Sequence, residues 1–315
     1  MNAGVHAERR SIYWRAIAVL CASIRRSSSS DVDVIVCTNE LPSSDISYKL
    51  NQLGVSFISP AFSFRAPEGM APLFSGAFYL FDCMTYCSRN LSDNGIFMFV
   101  DPDCLVMKDF GIIRELCEQW PLIGYELDID KDQPSNGCSR RDLLAFLNTM
   151  KDGHCSEPPK YFGGEFFAAT AEALPGICAI IEEVWETNNR NFQSGGISLK
   201  TEEHVLSVAL ALSREPVGTS NTIVKRMWTR PSFRNVSSSD RSFLIWHLPA
   251  EKRYGLQQLF YLFERDTGNL AGLSDKKFED LAAKLIRLEL SPFERAWFFL
   301  YPMIKSLFFR NATHR

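Results

Sequence analysis

Two carboxylates separated by one proline, Asp101-Pro102-Asp103, close a run of five apolar residues, Ile96 to Val100. Acids one residue apart on an extended backbone point broadly the same way. Together they can hold one hard divalent cation, whose remaining ligands are often substrate phosphates. The other use of such a pair is a strand-end turn whose aspartates cap backbone amides. An apolar strand before the pair and a second apolar group after it, Cys104 to Met107, favour the metal. The run follows the turn residues Asp93-Asn94-Gly95 and reads as a strand buried on both faces, of the kind found in parallel sheets covered by helices. Pro102 cannot donate to a ladder, so pairing stops there, at the strand end where open α/β sheets take their ligands.

Three later stretches carry chemistry of their own. Tyr161-Phe162-Gly163-Gly164-Glu165-Phe166-Phe167 sets two glycines among aromatics, which allows close approach of a backbone to a ligand. Glu165 stands in apolar surroundings, where desolvation would raise its pKa and suit it to acid/base work; a bulged strand with a paired glutamate is the alternative. Thr201-Glu202-Glu203-His204 is a helix start in which Thr201 caps and the acids meet the positive end of the dipole. Phe243 to Gly255 delivers His247 on a short apolar strand, with Lys252 and Arg253 close behind. A neutral imidazole can complete a divalent site begun by two aspartates. Either cation can neutralise charge on a departing diphosphate.

The segment Ile96 to Val106 resembles the metal-binding Asp-x-Asp element of GT-A glycosyltransferases, the Mn-dependent nucleotide-sugar transferases. The resemblance extends over residues 11 to 255. It implies an α/β, Rossmann-like mixed and mostly parallel sheet flanked by helices, binding Mn2+ or Mg2+ through Asp101, Asp103 and His247. Lys252, with Arg253 as its rival, takes the phosphate-binding position, although the glycine and tryptophan that usually surround the family's lysine are missing here. Asp82 falls where related enzymes place a nucleotide-proximal acid or base. Glu165 and the pair Glu202 and Glu203 fall where the sugar pocket is shaped, and which of the pair faces the pocket is left open. The implied reaction is hexosyl or pentosyl transfer from a nucleotide-diphosphate sugar to a glycan, lipid-linked or protein hydroxyl. The other classes open to this chain are a non-catalytic glycan-binding or scaffold relative, and a nucleotidyl- or phosphotransferase; no glycine-rich phosphate loop supports the last.

The elements that must position these residues follow from periodicity. Apolar spacing predicts a helix over 11–26, strands over 32–38 and 55–58 with a helix at 43–53 between them, and an aromatic-rich helix over 72–90. This alternation implies a parallel Rossmann-like sheet. The polar residues 1–10 supply none of the opening strand that the resemblance calls for. Beyond the aspartates come a helix at 110–119, a strand at 121–125, a loop at 126–139, and helices at 140–150, 171–189 and from Thr201 onward. A loop of that length is usually functional or mobile.

At 315 residues and 46% hydrophobic composition the chain can bury a large core. Its division is expected at a transferase domain, 1–260, and a C-terminal helical region, 261–315. A net charge of −3 gives no footprint for nucleic acid. Nine scattered cysteines without a CxxC pair argue against a disulfide framework or a zinc site. With no signal peptide and no apolar run of ~18 residues, a cytoplasmic protein is expected. The aromatic and basic tail, Leu290 to Arg315, would let it sit peripherally on the inner face of a membrane.

Overall fold

A computed structural model describes residues 7–28, 32–70, 74–150, 155–230, 232–265 and 272–290, together with 293, 296 and 300. Helix α1 (Ala7–Ser27) leads to β1 (Val34–Cys37), α2 (Ser44–Gln52), β2 (Val55–Ile58) and α3 (Tyr79–Ser88). Then come β3 (Ile96–Val100), β4 (Cys104–Val106), α4 (Gly111–Gln119), β5 (Leu122–Leu127), α5 (Arg140–Asn148) and β6 (Tyr161–Thr170). The long helices α6 (Ala173–Gln193) and α7 (Glu202–Leu212) precede five short strands: β7 (Val217–Thr219), β8 (Val224–Arg226), β9 (Thr229–Arg230), β10 (Phe233–Arg234) and β11 (Ile245–His247). A 3-10 turn (Ser238–Ser242) lies between β10 and β11, and helices α8 (Gly255–Arg265) and α9 (Asp275–Leu285) follow.

The fold is α/β, with mixed sheets flanked by helices. The largest sheet has the order β3-β6-β5-β7; β3 and β5 run antiparallel to β6, and β7 parallel to β5. The strand before the aspartates is therefore an edge strand paired antiparallel, which corrects the buried parallel strand expected from its continuous apolar run. Both of its faces are nevertheless covered. Ile96, Met98 and Val100 pack against one core, and Phe97 and Phe99 against the other. Alternate side chains of a strand point to opposite faces, so an edge strand between two cores needs apolar residues at every position. The fully enclosed partner is β6, where Phe166 to Ala169 are buried.

Helices α3, α5, α6 and α7 fill one face of that sheet; α1, α8 and α9, with the small sheets, fill the other. Strands β1 and β2 pair in parallel as expected, but as a two-stranded sheet of their own. Beside them α1 lies along β4, the edge strand of the three-stranded sheet β4-β11-β8. Ser23 Oγ accepts the Val106 N–H at 3.0 Å, Ser27 Oγ donates to Val106 O at 3.2 Å, and Arg26 donates to Met107 O at 2.9 Å. Side chains of a helix thus satisfy a strand edge that another strand would otherwise pair.

The division expected at residue 260 falls within α8, and Phe278, Ala282 and Ala283 of α9 belong to the same core as α1. Among the described residues no helix is long and apolar enough to cross a membrane. The tail expected to rest on a membrane lies outside the described residues apart from Leu290, Phe293, Ala296 and Leu300.

Candidate metal centre and its carboxylates

Strands distant in sequence assemble the site. In the sheet β4-β11-β8, Cys104 lies opposite His247 and His247 opposite Arg226. One row across the sheet therefore runs from the end of the Asp101-Pro102-Asp103 turn, through the histidine, to an arginine. Leu248 N donates to Asp103 O (2.9 Å) and Met227 N to His247 O (2.8 Å), which locks the register. On the other side of the turn, Asp101 N donates to Glu165 O at 3.0 Å and ties the aspartates to β6.

Asp101, Asp103 and His247 each offer one ligand atom, and the three atoms lie within 4.8 Å of one another. His247 Nε2 stands 3.6 Å from Asp101 Oδ2 and 3.4 Å from Asp103 Oδ1. Asp103 is fully buried, and neither of its oxygens accepts a directed hydrogen bond. Lys252 Nζ, 2.8 Å from Oδ2, approaches it as an ion pair. A buried carboxylate without hydrogen bonds calls for cations. Two carboxylate oxygens and an imidazole nitrogen are a ligand set that a divalent ion fits.

Electrostatics sort these groups. Burial pushes the Asp103 carboxyl up, but His247 and Lys252 outweigh it and hold the group well below the usual carboxylate range. Burial and the adjacent Asp103 raise Asp101. Burial alone would lower His247; Asp103, Asp101 and Glu165 together raise it well above its ordinary value, so metal-free His247 carries a proton that a metal must displace. Lys252 is likewise held above its ordinary value, Asp103 and Asp101 overcoming its desolvation.

Glu165 departs from expectation. Its carboxylate is buried, takes Arg226 Nε on Oε1 at 2.6 Å and Nη2 on Oε2 at 2.5 Å, and stands 3.3 Å from His247 Nδ1. Desolvation does push it up, as the sequence suggested, but the His247 and Arg226 cations prevail and hold it at about 2. It is an ionised carboxylate behind the histidine, in the position of an outer partner to a metal ligand. The bulged strand given as the alternative is what the structure has here: Tyr125 pairs with Gly163 and Gly124 with Phe167, so three residues of β6, Glu165 among them, leave the ladder to β5. The glycines make room for side chains of the protein itself. A Cβ on Gly163 would strike Glu165 and come 2.8 Å from Arg226 Nη2; one on Gly164 would come 2.7 Å from Glu202 Oε1.

At the start of α7 the two glutamates part company. Glu203 is saturated, pairing with Arg226 Nη2 (3.2 Å) and accepting from Asn136 Nδ2 (2.9 Å), Tyr161 Oη (3.0 Å) and Gly164 N (3.3 Å). Glu202 faces the Gly164 backbone, and its Oε2 is buried with no hydrogen-bond partner. Burial and the neighbouring Glu203, Asp101 and Glu165 push it up to about 8. Capping falls to His204, whose Nδ1 accepts from the Lys200 and Thr201 amides while Nε2 donates to Ser135 O. That bond, with the Asn136 amide, pins the loop 126–139. The loop tip is a tight turn with Asn136 at φ 50° and Gly137 at φ 93°, the left-handed pair of a primed hairpin turn.

Of the two candidate phosphate cations, Lys252 reaches the cluster. Arg253 is exposed and stands 3.6 Å from Glu8. Asp82 is buried at the start of α3, where it accepts the amides of Ser63 (3.0 Å) and Phe64 (3.4 Å); the structure joins it to that loop and not to the carboxylate cluster. Arg226 went unnoticed in the sequence. It lies on a three-residue strand with no motif around it, and only pairing with β11 places it beside Glu165.

No protein-family model matches the chain, and no curated protein matches it. Among solved structures it is similar to mouse xyloside xylosyltransferase 1 in its apo form, at 11% sequence identity and a TM-score of 0.49, over 78% of this chain and 96% of that one. A likeness of this degree says nothing of substrate or reaction.

Proposed function

We propose that the protein is a GT-A-type glycosyltransferase, dependent on a divalent cation, Mn2+ before Mg2+. It transfers a hexose or pentose from a nucleotide-diphosphate donor to a hydroxyl of a glycan, lipid-linked or protein acceptor. The observation that carries this reading is the convergence of Asp101, Asp103 and His247 within 4.8 Å at the end of an apolar strand, with the Lys252 ammonium 2.8 Å from Asp103. An imidazole beside two carboxylates suits a first-row transition ion better than Mg2+. The chemistry such an ion supplies when bound is Lewis acidity toward a departing diphosphate.

The chain's own groups do the rest. Asp101, Asp103 and His247 hold the ion, with the imidazole surrendering its proton. Lys252, partly exposed beside Asp103, presents an ammonium to the anionic leaving group. Glu203, tied on both oxygens, orients Tyr161 and the loop tip at Asn136. Glu202 has a buried oxygen free to meet a substrate hydroxyl; its raised pKa suits it to accept that proton near neutral pH. Glu165 acts behind His247 and does not handle protons.

The test is thermal stability of wild type and Asp103→Ala with UDP-, GDP-, CMP- and dTDP-linked nucleotides, with and without Mn2+. A shift that needs one nucleotide together with the metal, and that disappears in the variant, supports the reading and names the donor class. Folded wild type that responds to no nucleotide overturns it.

A further inference from the structure

We infer that Arg226 is a positioning residue of the metal centre: by gripping Glu165 it holds that carboxylate against His247 Nδ1 and so aims Nε2 at the two aspartates. The inference rests on reading Asp101, Asp103 and His247 as a cation site, and concerns a residue with no contact to the ion's ligand atoms. Three observations carry it. The grip is a fork, Nε and Nη2 each on a different oxygen of Glu165 at 2.6 and 2.5 Å, which fixes the plane of the carboxylate as well as its charge. His247 Nδ1 lies 3.3 Å from Glu165 Oε1 and, among the described residues, hydrogen-bonds no other group, so this carboxylate is what faces the ring on that side. The arginine is itself held: its Nη2 reaches Glu203 Oε1 at 3.2 Å, its backbone N donates to Tyr125 Oη at 3.2 Å, and β8 is paired to β11 at His247 itself. Gly163 keeps the space for this fork clear. Outer partners of a metal-bound histidine are worth about 10–100-fold in metal affinity; here the carboxylate that plays that part would have no fixed orientation without Arg226.

The experiment is a calorimetric titration of Mn2+ alone into the full chain at one pH. The proteins are wild type, Arg226→Lys, Arg226→Met, Glu165→Gln and the double variant Arg226→Met/Glu165→Gln, each checked for folding by metal-free thermal unfolding. Arg226→Met is expected to weaken Mn2+ about 10–100-fold, and Arg226→Lys to recover part of the loss, since an ammonium supplies the charge without the fork. The double variant is expected to bind no more weakly than Glu165→Gln alone, because the arginine acts only through that carboxylate. A merely structural arginine would lower metal-free stability and leave Mn2+ affinity at the wild-type value, or would add its loss to that of Glu165→Gln; either result overturns the inference. If Arg226→Met does not fold, the lysine and double variants carry the same test, the latter having no ionised Glu165 left without its arginine. Folded wild type that binds no Mn2+ overturns the cation reading and this inference together. Binding that follows the expected order, without any nucleotide response in the thermal test above, upholds the inference and sinks the transferase.

Discussion

The metal side of the site and the start of α7 hold carboxylates under the same low-dielectric conditions and treat them oppositely. Asp103 faces His247 and Lys252, and Glu165 faces His247 and Arg226; both are held ionised well below the usual range. Glu202, half-buried, has no ion pair among the described residues and three acids around it, and burial and those acids push it up to about 8. Desolvation acts in the same direction on all three, so the number of cations in contact decides the protonation state. In the proposed function this difference divides the work: groups held ionised bind cations, and the group left without one exchanges a proton.

Removing charge from the ionised side gives the largest effect. Asp103→Asn removes the carboxylate charge that His247 Nε2 and Lys252 both face, and Mn2+ affinity should fall on the order of 10³-fold, comparable to the ~3–5 kcal/mol lost when a buried charge pair is broken; titration calorimetry measures it. The opposite change on the α7 side should stabilise. With Glu202 raised in the folded state, its contribution to stability is complete below the unfolded pKa of about 4.3 and is lost as pH rises toward 8, with no further change above. Glu202→Gln should therefore match wild type near pH 4 and exceed it at pH 8 by roughly 2–5 kcal/mol in metal-free urea unfolding. Equal slopes against pH for the two proteins would break the comparison.

The glycines sharpen it. Gly163→Ala drives a Cβ into the Glu165–Arg226 pair, where neither partner can move, and should cost about 3 kcal/mol. Gly164→Ala meets the unpaired Glu202, a side chain free to shift, and should cost about 1 kcal/mol; denaturant midpoints of the two variants read the contrast. Mn2+ uptake near neutral pH should release about one proton, from His247, visible as a dependence of binding heat on the buffer's ionisation enthalpy. The smallest effect is expected outside the site altogether: Arg253→Ala, exposed beside Glu8, should change stability by less than about 0.5 kcal/mol.

Much of this was legible in the residues. The apolar run ending in Asp101-Pro102-Asp103, the strand that delivers His247 and the glycine pair of β6 each signal their element and chemistry locally, because period, proline and glycine act within a few residues. The helices over most of their lengths and the parallel β1–β2 pair followed from the same periodicities. What the sequence by itself determined, then, is which residues could ligate a metal and on what kind of backbone they stand. The tertiary structure alone set Lys252 and not Arg253 beside Asp103, left Glu202 Oε2 without a hydrogen bond and Glu203 saturated, put Glu165 between His247 and Arg226, and brought in Arg226. Each of these depends on register between strands remote in the chain and on which cations that register brings within about 4 Å, the range in which an opposite charge favours the ionised form of a carboxylate; no local pattern encodes it.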